Sequence, residues 1–152
     1  MQGWTKAIVI GGLLGGALDL AFALVSAASN GVAPPRLLQI VASGALGKSA
    51  LDMGAAGAAC GALFHFGLSL LWAALFAMIA GRFRAPRARP WLSGPAFGIV
   101  VFLAMRLVVL PLSAYPFPVK FTMPGALYDL LSHMFLFGLP IALANRAFAS
   151  RR

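Results

Sequence analysis

The sequence is short of charged side chains. Only 10% of its 152 residues are Asp, Glu, Lys or Arg, while 61% are hydrophobic. Soluble domains carry about 25% charged residues, so a water-soluble globule of this composition would lack the polar groups needed to cover its surface. The shortage therefore favours a lipid bilayer as the solvent, and the length allows a single domain over residues 1–152.

Acidic residues and cysteine are scarcer still. Three acidic residues against twelve basic ones give a net charge of +9, and a strongly basic balance is also typical of nucleic-acid binders. Here, however, the basic residues lie in short clusters between long apolar runs, which argues against nucleic acid as a partner. Cys60 is the single cysteine, so an intrachain disulfide is excluded.

Four apolar segments are long enough to cross a membrane, since a helical span needs about 20 residues that each rise about 1.5 Å. They cover approximately residues 7–28, 55–80, 94–112 and 125–144. The sequence therefore predicts an all-α fold, a four-transmembrane-helix bundle that is multi-pass.

The basic residues predict the orientation of the bundle. Eight lie at the termini or in the linker between the second and third segments: Lys6, Arg82, Arg84, Arg87, Arg89, Arg146, Arg151 and Arg152. The two other loops hold only Arg36, Lys48 and Lys120. Cytoplasmic loops are enriched in Lys and Arg, so we expect both termini in the cytoplasm, with the arginine linker contacting anionic lipid headgroups.

Both loops on the predicted outer side have internal structure of their own. Residues 30–54 open with Pro34 and Pro35 and then place apolar residues near helical spacing, which predicts a short helix in the membrane interface. The loop 114–124 contains three prolines among aromatic residues and is expected to be extended and tucked against the helix ends.

Four ionisable side chains lie well inside the spans: Asp19, His65, Arg106 and His133. Such residues are costly in lipid and by default face the bundle interior. At about 1.5 Å per residue, all four lie about 15–18 Å from the inner side of the membrane. We therefore predict one intramembrane polar layer.

Two more residues are assigned to this layer by helical spacing. Asp129 lies one turn from His133, where its carboxylate can orient the imidazole, and Ser69 shares a face with His65. For Asp19 and Arg106 the simplest prediction is an ion pair that neutralises both, because an unpaired arginine at that depth costs at least about 2.5–3.5 kcal/mol.

The histidines leave alternatives open. They are either hydrogen-bonded members of the polar cluster or axial ligands of a b-type haem, which needs two imidazoles at similar depth on facing helices. A metal site formed by His65, His133 and Asp129 is chemically possible, but no ligand-spacing motif supports it. Unperturbed imidazoles titrate near pH 6.5, so the layer is expected to respond to mild acid.

From residue 60 to residue 146 the chain resembles the YagU-type family of small bacterial inner-membrane proteins. The resemblance is carried by His65, Phe66, Ser69, Trp91, Gly94, Leu110-Pro111-Leu112, Pro116, Pro118 and Ser132-His133. It implies a bacterial inner-membrane location and no particular activity. Arg106 departs from the family pattern.

These features support three functional hypotheses. The leading one is a non-enzymatic membrane protein whose polar layer binds a small ligand or relays protons, since no nucleophile-elbow glycine pattern surrounds any serine. The alternatives are a haem-binding electron carrier and an accessory subunit that packs against a larger complex, or against a second copy, through its Gly-rich faces.

The haem hypothesis makes a spectroscopic prediction. If His65 and His133 ligate haem b, protein purified from haem-replete cells will show a Soret band, and replacing either histidine will shift or abolish it. An absorbance spectrum without that band would remove the electron-carrier alternative.

Overall fold

Hydrocarbon offers no hydrogen bonds to the backbone, so a chain that crosses it must satisfy its N–H and C=O groups internally. The computed structural model describes residues 2–149 and has helices at each of the four apolar segments. We label the six helices as follows: α1 Gln2–Ser29, α2 Pro34–Leu46, α3 Gly54–Arg82, α4 Arg84–Ala88, α5 Pro90–Leu112 and α6 Gly125–Phe148.

The predicted all-α four-helix architecture is confirmed. Helices α1, α3, α5 and α6 are long and apolar enough to span a bilayer, and the chain is a multi-pass membrane protein on that basis. The helices run past the apolar segments, for example where α5 begins at Pro90 and α6 ends at Phe148. Proline suits the first helical turn because its missing N–H would have no partner there. Arg151 and Arg152, which contributed to the predicted orientation, lie outside the described residues.

The short helix expected in the first long loop is α2, followed by a 3₁₀ segment, Gly47–Asp52. It lies against the first turns of α3, where Gly61 allows the Leu38 backbone to approach closely. The Gln39 side chain donates a hydrogen bond to the Gly54 carbonyl (2.9 Å), and Arg36 donates to the Leu51 carbonyl (2.6 Å). These bonds fix α2 to the end of the bundle opposite the termini, called here the loop end; the other is the termini end.

The second loop, residues 113–124, has no regular structure and folds over the loop end, as predicted. The Ala114 N–H donates to the Gly44 carbonyl of α2 (2.9 Å), and the Phe121 ring packs edge-on against Phe102 of α5. The two loops together therefore cover this end of the bundle.

Small residues bring the long helices together. On α1, Gly12 and Gly16 face Leu70 and Ser69 of α3. The closest crossing joins α5 to α6, where Gly98 lies against the backbone at His133 and Gly138 against the backbone of α5. Close backbone approach at small residues is the usual way to gain packing energy in lipid.

Two of the spans contain a wide turn. Met105–Val109 in α5 and His133–Gly138 in α6 are π-helical, and each is followed two residues later by a proline, Pro111 or Pro140. Proline cannot donate the backbone hydrogen bond that the previous turn requires. A π turn is one way in which the backbone hydrogen bonds of the helix adjust to this loss. Arg106 and His133 each lie inside one of these turns.

The α5–α6 crossing generates a stability prediction. A methyl group at Gly98 would overlap backbone atoms of His133 and Met134, which cannot rotate away. We expect Gly98→Ala to lower the free energy of unfolding by about 1–3 kcal/mol, measured by thermal denaturation in one detergent. Gly67→Ala is the matched control, because its added methyl meets nothing within 4 Å. Equal melting temperatures for the two variants would contradict the close crossing.

Candidate functional site

A cavity of about 780 Å³ lies inside the loop-end half of the bundle. Its wall includes all six polar residues singled out from the sequence: Asp19, His65, Ser69, Arg106, Asp129 and His133. The remainder of the wall is mainly apolar. A volume in the range of about 300–1,000 Å³ with few polar groups is typical of small-molecule sites.

The cavity exists because α3 and α5 are held apart. Within the described chain these two helices are not closely packed neighbours, and both contribute to the cavity wall. Toward the termini end the gap is closed by aromatic rings, with Phe97 of α5 packed edge-on against Phe76 (5.0 Å between centroids) and Trp72 (6.2 Å) of α3. Toward the loop end it is covered by α2 and residues 113–124.

The cavity reaches the outside of the bundle along α3. Leu63 and Phe64 belong to its wall, yet they are 72% and 37% exposed at the surface of the protein. Gly67, on the same helix, is also both exposed and part of the wall. In a bilayer this surface faces lipid, so the cavity has a side opening along α3.

Arg106 is paired with Asp129, and not with Asp19 as the sequence predicted. Its Nη2 and Nε atoms donate to the same Asp129 oxygen, Oδ2, at 2.7 and 3.2 Å, and its Nη1 donates to the Lys120 carbonyl (2.8 Å). The guanidinium also lies 5.1 Å from the Phe102 ring centroid and 5.3 Å from that of Phe121. The prediction of an Asp19–Arg106 ion pair is therefore wrong.

The length and direction of the arginine side chain explain the error. The depth argument used the position of the backbone, but a long cationic side chain extends toward the nearer interface. From α5 the guanidinium of Arg106 reaches the loop end, where it donates a hydrogen bond to the backbone carbonyl of Lys120. Asp129, one turn closer to that end than His133, is then the carboxylate within reach.

Asp19 contacts α6 instead. Its Oδ1 atom accepts a hydrogen bond from the Ser132 hydroxyl (2.7 Å) and lies 3.8 Å from His133 Nδ1. The side chain is 13% exposed. Among the described residues no lysine or arginine forms an ion pair with it, so its nearest group able to carry a positive charge is an imidazole.

His133 is placed between the two carboxylates. Its Nδ1 atom lies 2.9 Å from the Asp129 carbonyl oxygen and 3.2 Å from Asp129 Oδ1, with Asp19 Oδ1 at 3.8 Å. All three neighbours are hydrogen-bond acceptors when the carboxylates are ionised, so Nδ1 carries a proton and Nε2 is the atom that binds a second one. Asp129 thus orients the imidazole, as the spacing predicted.

His65 and Ser69 are tied to α1 rather than to the other polar residues. His65 Nε2 donates to the Gly16 carbonyl (2.9 Å), and the Ser69 hydroxyl donates to the Gly12 carbonyl (2.5 Å). Both bonds cross from α3 to α1 and reinforce the close approach at the two glycines. Four residues of the predicted layer are therefore connected to one another: Asp19, Arg106, Asp129 and His133. His65 and Ser69 lie beside this group in the same cavity wall.

Three participants were missed in the sequence. Ser132 links α6 to Asp19; its position directly before His133 was noted only as part of a family resemblance. Trp72 lines the cavity, and its buried indole N–H has no hydrogen-bond partner within residues 2–149. Tyr115 lies at the loop-end cover, where burial raises the pKa of its phenol against the opposing effect of Arg106, so it is neutral at pH 7.

The arrangement offers little to a metal ion. Within residues 2–149 no three His, Cys, Asp or Glu side chains cluster closely enough to hold one. Each histidine also uses one ring nitrogen for a backbone carbonyl, on Gly16 for His65 and on Asp129 for His133. The haem alternative stays a prediction for the absorbance spectrum to test.

No protein-family model, curated protein or solved structure matches the chain. The resemblance to the YagU-type family therefore stays a prediction, and functional conclusions rest on the geometry of the cavity alone.

A double-mutant cycle tests the pairing of Arg106. We expect Arg106→Gln and Asp129→Asn to show a coupling energy of about 1–3 kcal/mol in unfolding experiments, because each removes the partner of the other. The control cycle combines Arg106→Gln with Asp19→Asn and is expected to show a smaller coupling energy, because these two residues are linked only through Asp129 and His133. A larger coupling in the control cycle would restore the original Asp19–Arg106 prediction.

Proposed function

We propose that this protein is a non-enzymatic membrane protein that binds a small, mainly apolar molecule in its intramembrane cavity. The observation that carries the proposal is the cavity of about 780 Å³, which gathers the six polar side chains selected from the sequence into one mainly apolar wall. Intramembrane ionisable residues are expensive and by default mark a functional site.

The side opening supports a ligand that arrives from the bilayer. Leu63, Phe64 and Gly67 connect the cavity with the lipid-facing surface of α3. The loop-end cover is held by hydrogen bonds, from Ala114 to Gly44 and from Arg106 to Lys120. Entry from lipid requires neither bond to break, whereas entry through the cover does.

The location proposed with this function is a bacterial inner membrane, with both termini in the cytoplasm. The excess of Lys and Arg at the termini end supports this orientation. In that orientation the cavity lies in the outer half of the bilayer, and the arginine linker is positioned to contact anionic headgroups on the cytoplasmic side.

Filling the cavity tests the proposal. The probe is 1-aminoanthracene, a neutral apolar fluorophore, which is added to the protein in lipid nanodiscs. The protein carries Trp4→Phe and Trp91→Phe, so that Trp72 is its single tryptophan. Energy transfer from Trp72 to the probe is the signal. We expect saturable binding above that of empty nanodiscs. Gly44→Leu places a larger side chain in the cavity, where the Cβ has only the Ser113 hydroxyl nearby, at 3.9 Å. Overlap between this side chain and the probe should weaken binding about tenfold, which corresponds to about 1.4 kcal/mol.

The matched control is Ala59→Leu, an exposed position on α3 that is not part of the cavity wall. It should bind the probe within about twofold of the parent protein, since surface substitutions rarely change free energies by more than about 0.5 kcal/mol. Binding that never saturates, or that Gly44→Leu leaves unchanged, would overturn the proposed function.

A further inference from the structure

We infer that the ligand of this cavity is an organic cation with an apolar body, whose positive charge pairs with Asp19 in place of a proton on His133. The inference rests on the proposed function, because it assigns a chemical class to the molecule that the cavity binds. Its basis is an excess of negative charge in the membrane-embedded part of the wall.

The charge count is simple. Within the spans, the described cavity wall carries two carboxylates, Asp19 and Asp129, and one guanidinium, Arg106. Two negative charges and one positive charge leave one negative charge when both imidazoles are neutral. An uncompensated charge in this surrounding costs several kcal/mol, so a cation must neutralise it.

Asp19 is the carboxylate that carries the excess. Arg106 directs two donors at Asp129, whereas Asp19 accepts one hydrogen bond from an uncharged hydroxyl. The charge of Asp19 is therefore balanced either by a proton, bound by Asp19 itself or by His133, 3.8 Å away, or by the charged group of a ligand. One neutralising charge is sufficient, so the two compete.

The other groups that face this position do not supply the missing charge. His65 of α3 is bonded to the Gly16 carbonyl, and α2 contributes only apolar residues and glycine to the wall. In the loop-end cover Tyr115 is neutral. Lys120 also belongs to the cavity wall, but it lies outside the spans and is exposed at the surface of the protein. Asp129 and Arg106 neutralise each other.

The rest of the wall suits an apolar and aromatic body. Trp72, Phe102 and Phe137 all contribute to the cavity, and aromatic faces attract organic cations by about 0.5–2 kcal/mol each. Phe102 is already used by Arg106, which leaves Trp72 and Phe137 as the aromatic rings of the wall that can contact a ligand. Hydrophobic cations also partition into bilayers, consistent with entry through the side opening.

The experiment compares two ions of the same shape and opposite charge, tetraphenylphosphonium and tetraphenylborate, in nanodiscs of uncharged lipid. Binding is measured as displacement of 1-aminoanthracene, with empty nanodiscs subtracted. At equal concentrations of the two ions in the membrane, we expect tetraphenylphosphonium to displace the probe at least about tenfold more effectively than tetraphenylborate. Asp19→Asn should remove this preference while binding of neutral 1-aminoanthracene persists, which shows that the variant is folded.

The matched control is Asp52→Asn, which removes an exposed carboxylate outside the cavity wall and should leave the preference unchanged. Competition with a proton adds a pH dependence. Histidine changes charge between about pH 5 and pH 8, so tetraphenylphosphonium should bind about tenfold more tightly at the upper end of this range. His133→Gln should reduce that dependence.

The outcomes separate this inference from the proposed function. Equal binding of the two ions, or a preference that survives Asp19→Asn, would overturn the cation assignment while saturable 1-aminoanthracene binding would keep the cavity as a binding site. A preference that Asp52→Asn also removes would show that it comes from surface charge and would likewise overturn the assignment. Loss of all saturable binding in the parent protein would overturn both.

Discussion

The two-point contact between Arg106 and Asp129 determines how the polar interior of this bundle is arranged. Both groups lie inside helices that span the membrane, where neither can be left without a counter-charge. Once the guanidinium is held by Asp129 and by the Lys120 carbonyl, the segment 113–124 is fixed over the loop end. The same pairing also leaves Asp19 without a fixed positive partner. The cover of the cavity and its unbalanced charge thus have one origin.

The packing of the backbone explains why the cavity lies between α3 and α5. Glycines let α1 lie close to α3 and let α5 cross close to α6. Gly11 and Gly15 of α1 also lie close to α6, so small residues join α3, α1, α6 and α5 in succession. Helices α3 and α5 are the two ends of this succession, and they meet through large aromatic side chains, Phe76 and Phe97, at the termini end. Toward the loop end the gap between α3 and α5 is the cavity, and α2 lies across it.

The π turns connect this packing to the polar site. Arg106 and His133 both lie in wide turns that precede prolines, and a π turn shifts the direction of the side chains that follow it. This shift changes which residues face the bundle interior, so face assignments that assume 3.6 residues per turn become unreliable there. Ser132 lies immediately before the second wide turn and donates to Asp19 of α1, a contact that the sequence did not predict.

The sequence by itself determined the solvent, the four spans, the short helix in the first long loop and which ionisable residues lie inside the spans. Each of these depends on local composition or on the free energy of moving a residue from water into lipid, which a single chain reveals without knowledge of its neighbours. Only the tertiary structure decided which carboxylate pairs with Arg106, that His65 bonds to the α1 backbone, and that a cavity separates α3 from α5. These features depend on which helices become neighbours and on how far a flexible side chain reaches, and hydropathy and spacing contain neither quantity.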